Sequence, residues 1–142
     1  EVSKKASEKK KTNVIALELP KGKIITGKQT DLLSPASSVI INAIKELSKI
    51  PDEINLLSPT ILEPILKLRK NNNTLSLQEV LIALAVCSVT NPSIASALEK
   101  LEVLKDCEAH ATYIVTNGDL KALKSLKINL TCEPNFYSKE IM

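Results

Sequence analysis

Seven side chains in this sequence could between them hold an anion: Lys28, Ser34, Ser37, Ser38, Ser58, Thr60 and His110. Ser34-Pro35 and Ser58-Pro59 both read as helix starts, because serine caps free N–H groups and proline suits the first helical position. The N-terminus of a helix presents unpaired N–H groups and a partial positive charge, which suits a carboxylate or a phosphate. Ligands of open α/β sheets also tend to bind beyond the carboxyl ends of strands. Lys28, in Thr26-Gly27-Lys28 just ahead of the first helix, would add a full charge. The plainer reading of these serines is that they only cap their helices.

Other chemistries fare less well. Cys107 and His110 have two residues between them, and with Cys132 they could supply three zinc ligands. A right-handed crossover through 118–126 would make the flanking strands parallel, with Cys107 ahead of one and Cys132 at the end of the other. The two thiols then sit at opposite edges of the sheet, so no metal is expected. Cysteine-histidine catalysis needs thiol and imidazole in contact together with oxyanion donors. A serine triad lacks its Gly-x-Ser-x-Gly turn. His110 is accordingly read as a structural residue near a strand end, or as a peripheral member of an anion site.

The elements that must position these groups follow from periodicity and turn chemistry. Residues 13–19 and 23–28 are β-branched runs joined by Pro20-Lys21-Gly22, the pattern of a tight hairpin. Ala36, Ile40, Ala43, Ile44 and Leu47 then recur at helical spacing. Residues 54–57 form a short apolar run that suits a buried strand. A second helix follows, in which Pro64 removes a backbone donor and predicts a kink or restart. Asn71-Asn72-Asn73 reads as a loop. The segment from Ser76 to Thr90 is apolar on nearly every side, so it belongs inside this domain or in an interface. An amphipathic helix after Asn91-Pro92, a strand at 111–116, a helix at 118–126 and a strand at 128–131 complete the chain. Repeated strand-helix-strand units favour a three-layer α/β/α sandwich around a mixed, mostly parallel sheet of about five strands, with one antiparallel hairpin.

Composition narrows the partners. At 142 residues and 44% apolar, the chain can bury a core without disulfides or metals. Phe136, Tyr113 and Tyr137 are the only aromatics, too few for a base-stacking platform. The net charge of +3 resides in residues 1–12, where Lys4, Lys5, Lys9, Lys10 and Lys11 face Glu1 and Glu8; the remainder holds 14 basic and 14 acidic residues. A nucleic-acid binder clusters Lys and Arg on a folded face, so nucleic acid is not expected as a partner. Three widely spaced cysteines indicate a reducing compartment, taken to be the cytoplasm. No apolar run reaches the length of a spanning helix, so no membrane role is expected. Residues 1–12 read as a lysine-rich linker or helix end, and 13–142 as one α/β domain.

Specific stretches resemble a known bacterial family. They are Ile15-Ala16-Leu17-Glu18-Leu19-Pro20, Ile25-Thr26-Gly27-Lys28, the Leu-Ser-Pro and Glu-Pro-Ile within Glu53 to Ile65, Glu79 to Pro92, Cys107-Glu108-Ala109-His110, and Asn129-Leu130-Thr131-Cys132-Glu133-Pro134. In order and content they are similar to the C-terminal region of the family catalogued as domain of unknown function 1846. The resemblance implies a multi-domain protein whose C-terminal part has a cytidine-deaminase-like topology. The zinc motif of deaminases is missing, since the corresponding helix starts read Ser34-Pro35-Ala36-Ser37-Ser38 and Ser58-Pro59-Thr60-Ile61. A glycine-rich phosphate-loop-like stretch of the family lies upstream, so no nucleotide activity carries onto this chain.

Two functional readings follow. In the first, a non-catalytic C-terminal domain packs on the upstream domains of its protein, supports a homo-oligomer and holds a small anionic or phosphorylated ligand without a cofactor. In the second, Lys28, His110 and helix-end donors contribute to a composite active site of a transferase or hydrolase acting on a phosphorylated metabolite.

Overall fold

A computed structural model describes residues 13–68 and 74–133. The lysine-rich residues 1–12 and the Asn71-Asn72-Asn73 loop lie outside them. Strands β1 (Val14–Glu18) and β2 (Ile24–Lys28) form the expected antiparallel hairpin, with Val14 opposite Lys28 and Glu18 opposite Ile24. The turn between them places Lys21 at φ 76° and Gly22 at φ 89°, and glycine adopts that left-handed backbone without steric cost.

Helix α1 (Pro35–Leu47) starts as read, with the Ser34 hydroxyl accepting the Ser37 N–H. It lies so close to β2 that a Cβ on Gly27 would stand 2.2 Å from the Val39 backbone nitrogen. Helix α2 (Pro59–Lys67) runs on through Pro64 instead of restarting. The carbonyl that proline leaves unbonded, four residues back, belongs to exposed Thr60, where water can satisfy it. Helix α3 (Leu77–Ser88) opens on a capping box of Ser76 and Glu79. Helix α4 (Pro92–Glu99), capped by Asn91, extends into a 3-10 segment, Lys100–Leu104. Strand β3 (Glu108–Ala111), helix α5 (Asn117–Ser125) and strand β4 (Asn129–Cys132) complete the described chain.

Three expectations are corrected. Residues 54–57 are not a strand: Pro51 and Asp52 open a turn, Ile54 is exposed, and only Leu56 and Leu57 reach the core. Strand β3 precedes the expected 111–116, because its partner β1 sets its length. Ile15 opposes Ala111, and once Thr112 has bonded to Val14 the β1 ladder is used up. The sheet is mixed but not mostly parallel. Its order is β2-β1-β3-β4, with β1 antiparallel to both neighbours and only β3 and β4 parallel. With 54–57 out of the sheet, β3-α5-β4 is the one strand-helix-strand unit among the described residues.

The fold is thus mixed α/β, with five helices and four strands among the described residues. Its core joins Ile15 and Leu17 of β1 to Ile40 and Ile44 of α1, Leu77 and Leu84 of α3, and Leu123 of α5. Helix α1 rests on β1 and β2, α5 rests on β4, and α3 touches both helices, which puts all three on one side of the sheet. The alternate residues Glu18, Thr26, Lys28, Glu108, His110 and Thr131 form a more exposed opposite face.

Candidate functional site

A cleft of about 360 Å³ opens between edge strand β2, helix α1 and the turn-rich segment after α1. Helix α1 contributes Ser38, Ile41, Asn42 and Lys45, spaced i, i+3, i+4 and i+7, which places them on one helical face. The strand side supplies Thr26, Lys28 and Thr30, and the segment opposite supplies Asp52 and Asn55. Leu33, Leu56 and Leu57 form an apolar floor.

Lys45 is the most informative of these residues. It is only 6% exposed. Its ammonium has one partner among the described residues, the Asp52 carbonyl at 2.9 Å. An ammonium carries three donors, and a buried charge is costly unless paired. Two turns earlier on the same helical face, the Ser38 hydroxyl, in a residue 7% exposed, has no hydrogen-bond partner among the described residues. Buried polar groups normally find a partner, so both point to something polar that belongs in this cleft. Asn42 donates to the Thr26 carbonyl at 3.0 Å and pins α1 to the edge strand. Asp52 is the one acidic side chain in the lining, and it is exposed.

Of the residues singled out from sequence, Lys28 and Ser38 meet in this cleft, and Ser34, Ser37, Ser58, Thr60 and His110 do not line it. The Ser37 hydroxyl donates to the Leu75 carbonyl at 3.0 Å, and the Ser34 N–H reaches the same carbonyl. With the parallel bridge between Leu33 and Leu75, these bonds bring the start of α3 next to the start of α1. An anion site shared by Ser34 and Ser58 would have called for the start of α2 in that place. The Ser58 side chain makes no cap bond, and Thr60 is exposed.

The starts of α1, α3 and α5 surround a second hollow of about 640 Å³, bordered by Ser34, Ser76, Thr116 and Asp119. The protein supplies its own anion there. Buried Asp119 accepts the Leu77 N–H at 2.8 Å and so satisfies the first turn of α3. Burial, and then the Asp119 charge, push the neighbouring Tyr113 phenol well above its ordinary value.

His110 lies on the exposed sheet face, its Nδ1 3.0 Å from the Glu133 carboxylate. It sits in one row with Ala16 and Thr26, two strand spacings or about 10 Å from the cleft edge. The Cys107 thiol faces the Val103 carbonyl at 3.6 Å. Burial, followed by the charges of Asp106, Glu18 and Glu108, raises its pKa and keeps it from the nucleophilic thiolate form. Cys132 pairs with Ala111, four residues further along the strand than Cys107, or about 13 Å by strand rise. Among the described residues no group of three His, Cys, Asp or Glu side chains could hold a metal ion, and no helix is long and apolar enough to cross a membrane.

Sequence reasoning passed over Lys45, Asn42 and Asp52. The first two were legible, since Ser38, Asn42 and Lys45 make a polar stripe at helical spacing in an otherwise apolar helix. Asp52 was not, because its place depends on how the chain turns after α1.

Comparison with known proteins gives a consistent picture. The family described as "Domain of unknown function DUF1846, C-terminal" matches residues 1–142. A UPF0371 protein of Clostridioides difficile (strain 630) is 46% identical over 133 residues, covering 90% of this chain and 26% of that protein. A UPF0371 protein of Clostridium botulinum (strain Eklund 17B / Type B) is 48% identical over the same extent. Another, from Clostridium botulinum (strain Langeland / NCTC 10281 / Type F), is 39% identical over 145 residues, 99% of this chain and 29% of that protein. The chain therefore spans about a quarter of the length of the bacterial relatives it matches.

Proposed function

The chain belongs to the DUF1846 C-terminal domain family, and from that premise we propose that it is a binding domain for a small phosphorylated or carboxylated ligand, held in the cleft of Lys28, Ser38 and Lys45. The observation that carries this reading is Lys45, a buried lysine whose ammonium has a single carbonyl partner among the described residues, in the same cleft lining as a buried hydroxyl with none there. Lys28, on the edge strand, lines the same space. Thr26, Thr30, Asn42 and Asn55 offer neutral polar groups for the hydroxyls of the ligand's body. No aromatic ring lines the cleft, so a sugar or polyol phosphate suits it better than a nucleotide, whose base would want a stacking surface. The cleft lies at the small end of ligand-site volumes, which also favours a compact molecule.

The finer architecture belongs to the same proposal. We read the exposed sheet face as covered in the longer family protein, which would complete a three-layer α/β/α arrangement of cytidine-deaminase-like topology. Ile24, apolar and 42% exposed on that face, supports this. Three free cysteines suit a reducing cytoplasm.

The test is calorimetric titration with inorganic phosphate, sulfate, glycerol phosphate and AMP, using this chain, Lys45→Met, Asp52→Asn and His110→Ala. Methionine keeps the buried stem of Lys45 and removes only the charge. Phosphate binding should weaken about tenfold or more in Lys45→Met, the worth of one charged hydrogen bond. It should strengthen in Asp52→Asn and be unchanged in His110→Ala. Binding that survives Lys45→Met at full strength, or no heat with any anion, would remove the proposal.

A further inference from the structure

Helix α3 carries two apolar stripes, and the fold uses only one. Leu77, Val80, Ala83 and Leu84 are buried against the domain. Ile82, Ala85, Val86 and Val89 repeat at i, i+3, i+4 and i+7 on another face, and there the exposure is 57% for Ile82, 67% for Val86 and 83% for Val89. A helix at the surface of a globular protein normally turns polar residues outward, and a contiguous exposed apolar patch marks an interaction site. The four-residue spacing is the one by which a helix seats in an apolar groove of a partner.

We propose that this stripe is the seat on which the upstream part of the longer family protein packs. Three observations choose this occupant. The matched family is a C-terminal one, and about three quarters of the relatives' length lies outside the region this chain covers. The stripe holds no charged residue, so the occupant is apolar, as expected of a permanent contact and not of a transient partner steered by charge. The helix is also rigid before docking: its capping box, and the bond from Leu77 N–H to Asp119, fix its first turn. An already ordered helix loses little further conformational freedom on burial. This inference is independent of the anion cleft.

The experiment compares this chain with a full-length family protein carrying it, each with Ile82→Cys, under pulsed maleimide labelling read at that position by peptide mass spectrometry. Labelling in the full-length protein should be slower by about tenfold or more, in fractions that light scattering shows to be monomeric. Equal labelling in both would overturn the proposal. Slowing confined to self-associated fractions would also overturn it and would assign the stripe to a second copy. As a second variant, Val86→Glu should lower the unfolding midpoint of the full-length protein and leave that of this chain unchanged; equal effects on both would count against the seat.

Discussion

Lys45 owes its significance to what surrounds it. On a solvated face a lysine makes its own arrangements with water, but here the residue is buried and its ammonium is handed to one carbonyl of the following turn. Tyr113 is the opposite case, a neutral group whose charged form the site disfavours. Its pKa is raised from 10.0, first by burial and then by Asp119. The unfolded chain therefore releases this proton as pH passes 10, while the folded chain holds it. Stability drawn from the neutral phenol is complete below that pH and falls above it. Urea unfolding measured from pH 8 to 11 should lose stability above pH 10 less steeply in Tyr113→Phe than in the parent, and parallel curves would contradict the assignment. Cys107, raised by burial and three acidic neighbours, acts in the same sense from its ordinary 9.0.

At the scale of elements, the cleft exists because α1 lies almost on the backbone of β2. Gly27 permits this approach, and the Asn42 side chain fixes it. Gly27→Ala would drive a methyl group into the Val39 backbone, which cannot rotate away as a side chain could. We expect a loss of about 3 kcal/mol in urea unfolding, at the upper end for an overpacked site. An intact stability would mean that α1 can slide off the strand. Helix starts were largely legible: Ser34, Ser76 and Asn91 cap where their side chains predict, since capping is a contact between residues two or three apart. Strands were legible where a hairpin closed them locally, and misread where pairing decided. Residues 54–57 have strand composition and no ladder, and β3 was displaced because β1, nearly a hundred residues earlier, determines where it ends.

Over the whole molecule, contacts distant in sequence hold the helical layer together. Asp119 of α5 accepts the Leu77 N–H of α3, and the Ser37 hydroxyl of α1 donates to the carbonyl that precedes it at Leu75. Replacing Asp119 with alanine leaves that buried amide without an acceptor, at a cost of about 2 kcal/mol. Hydrogen exchange should accelerate first at the amides of the α3 N-terminus; acceleration elsewhere would show that Asp119 serves another purpose. What the sequence determined by itself was local: the mixture of helices and strands, most helix starts, and the hairpin. Tertiary structure alone decided the strand order, the docking of the start of α3 beside that of α1, and the meeting of Lys28, Ser38 and Lys45 in one cleft lining. The physical reason is range, because capping and periodicity act within one or two turns of chain. A cleft, by contrast, forms where separate elements pack, and no single stretch of residues encodes the others' positions.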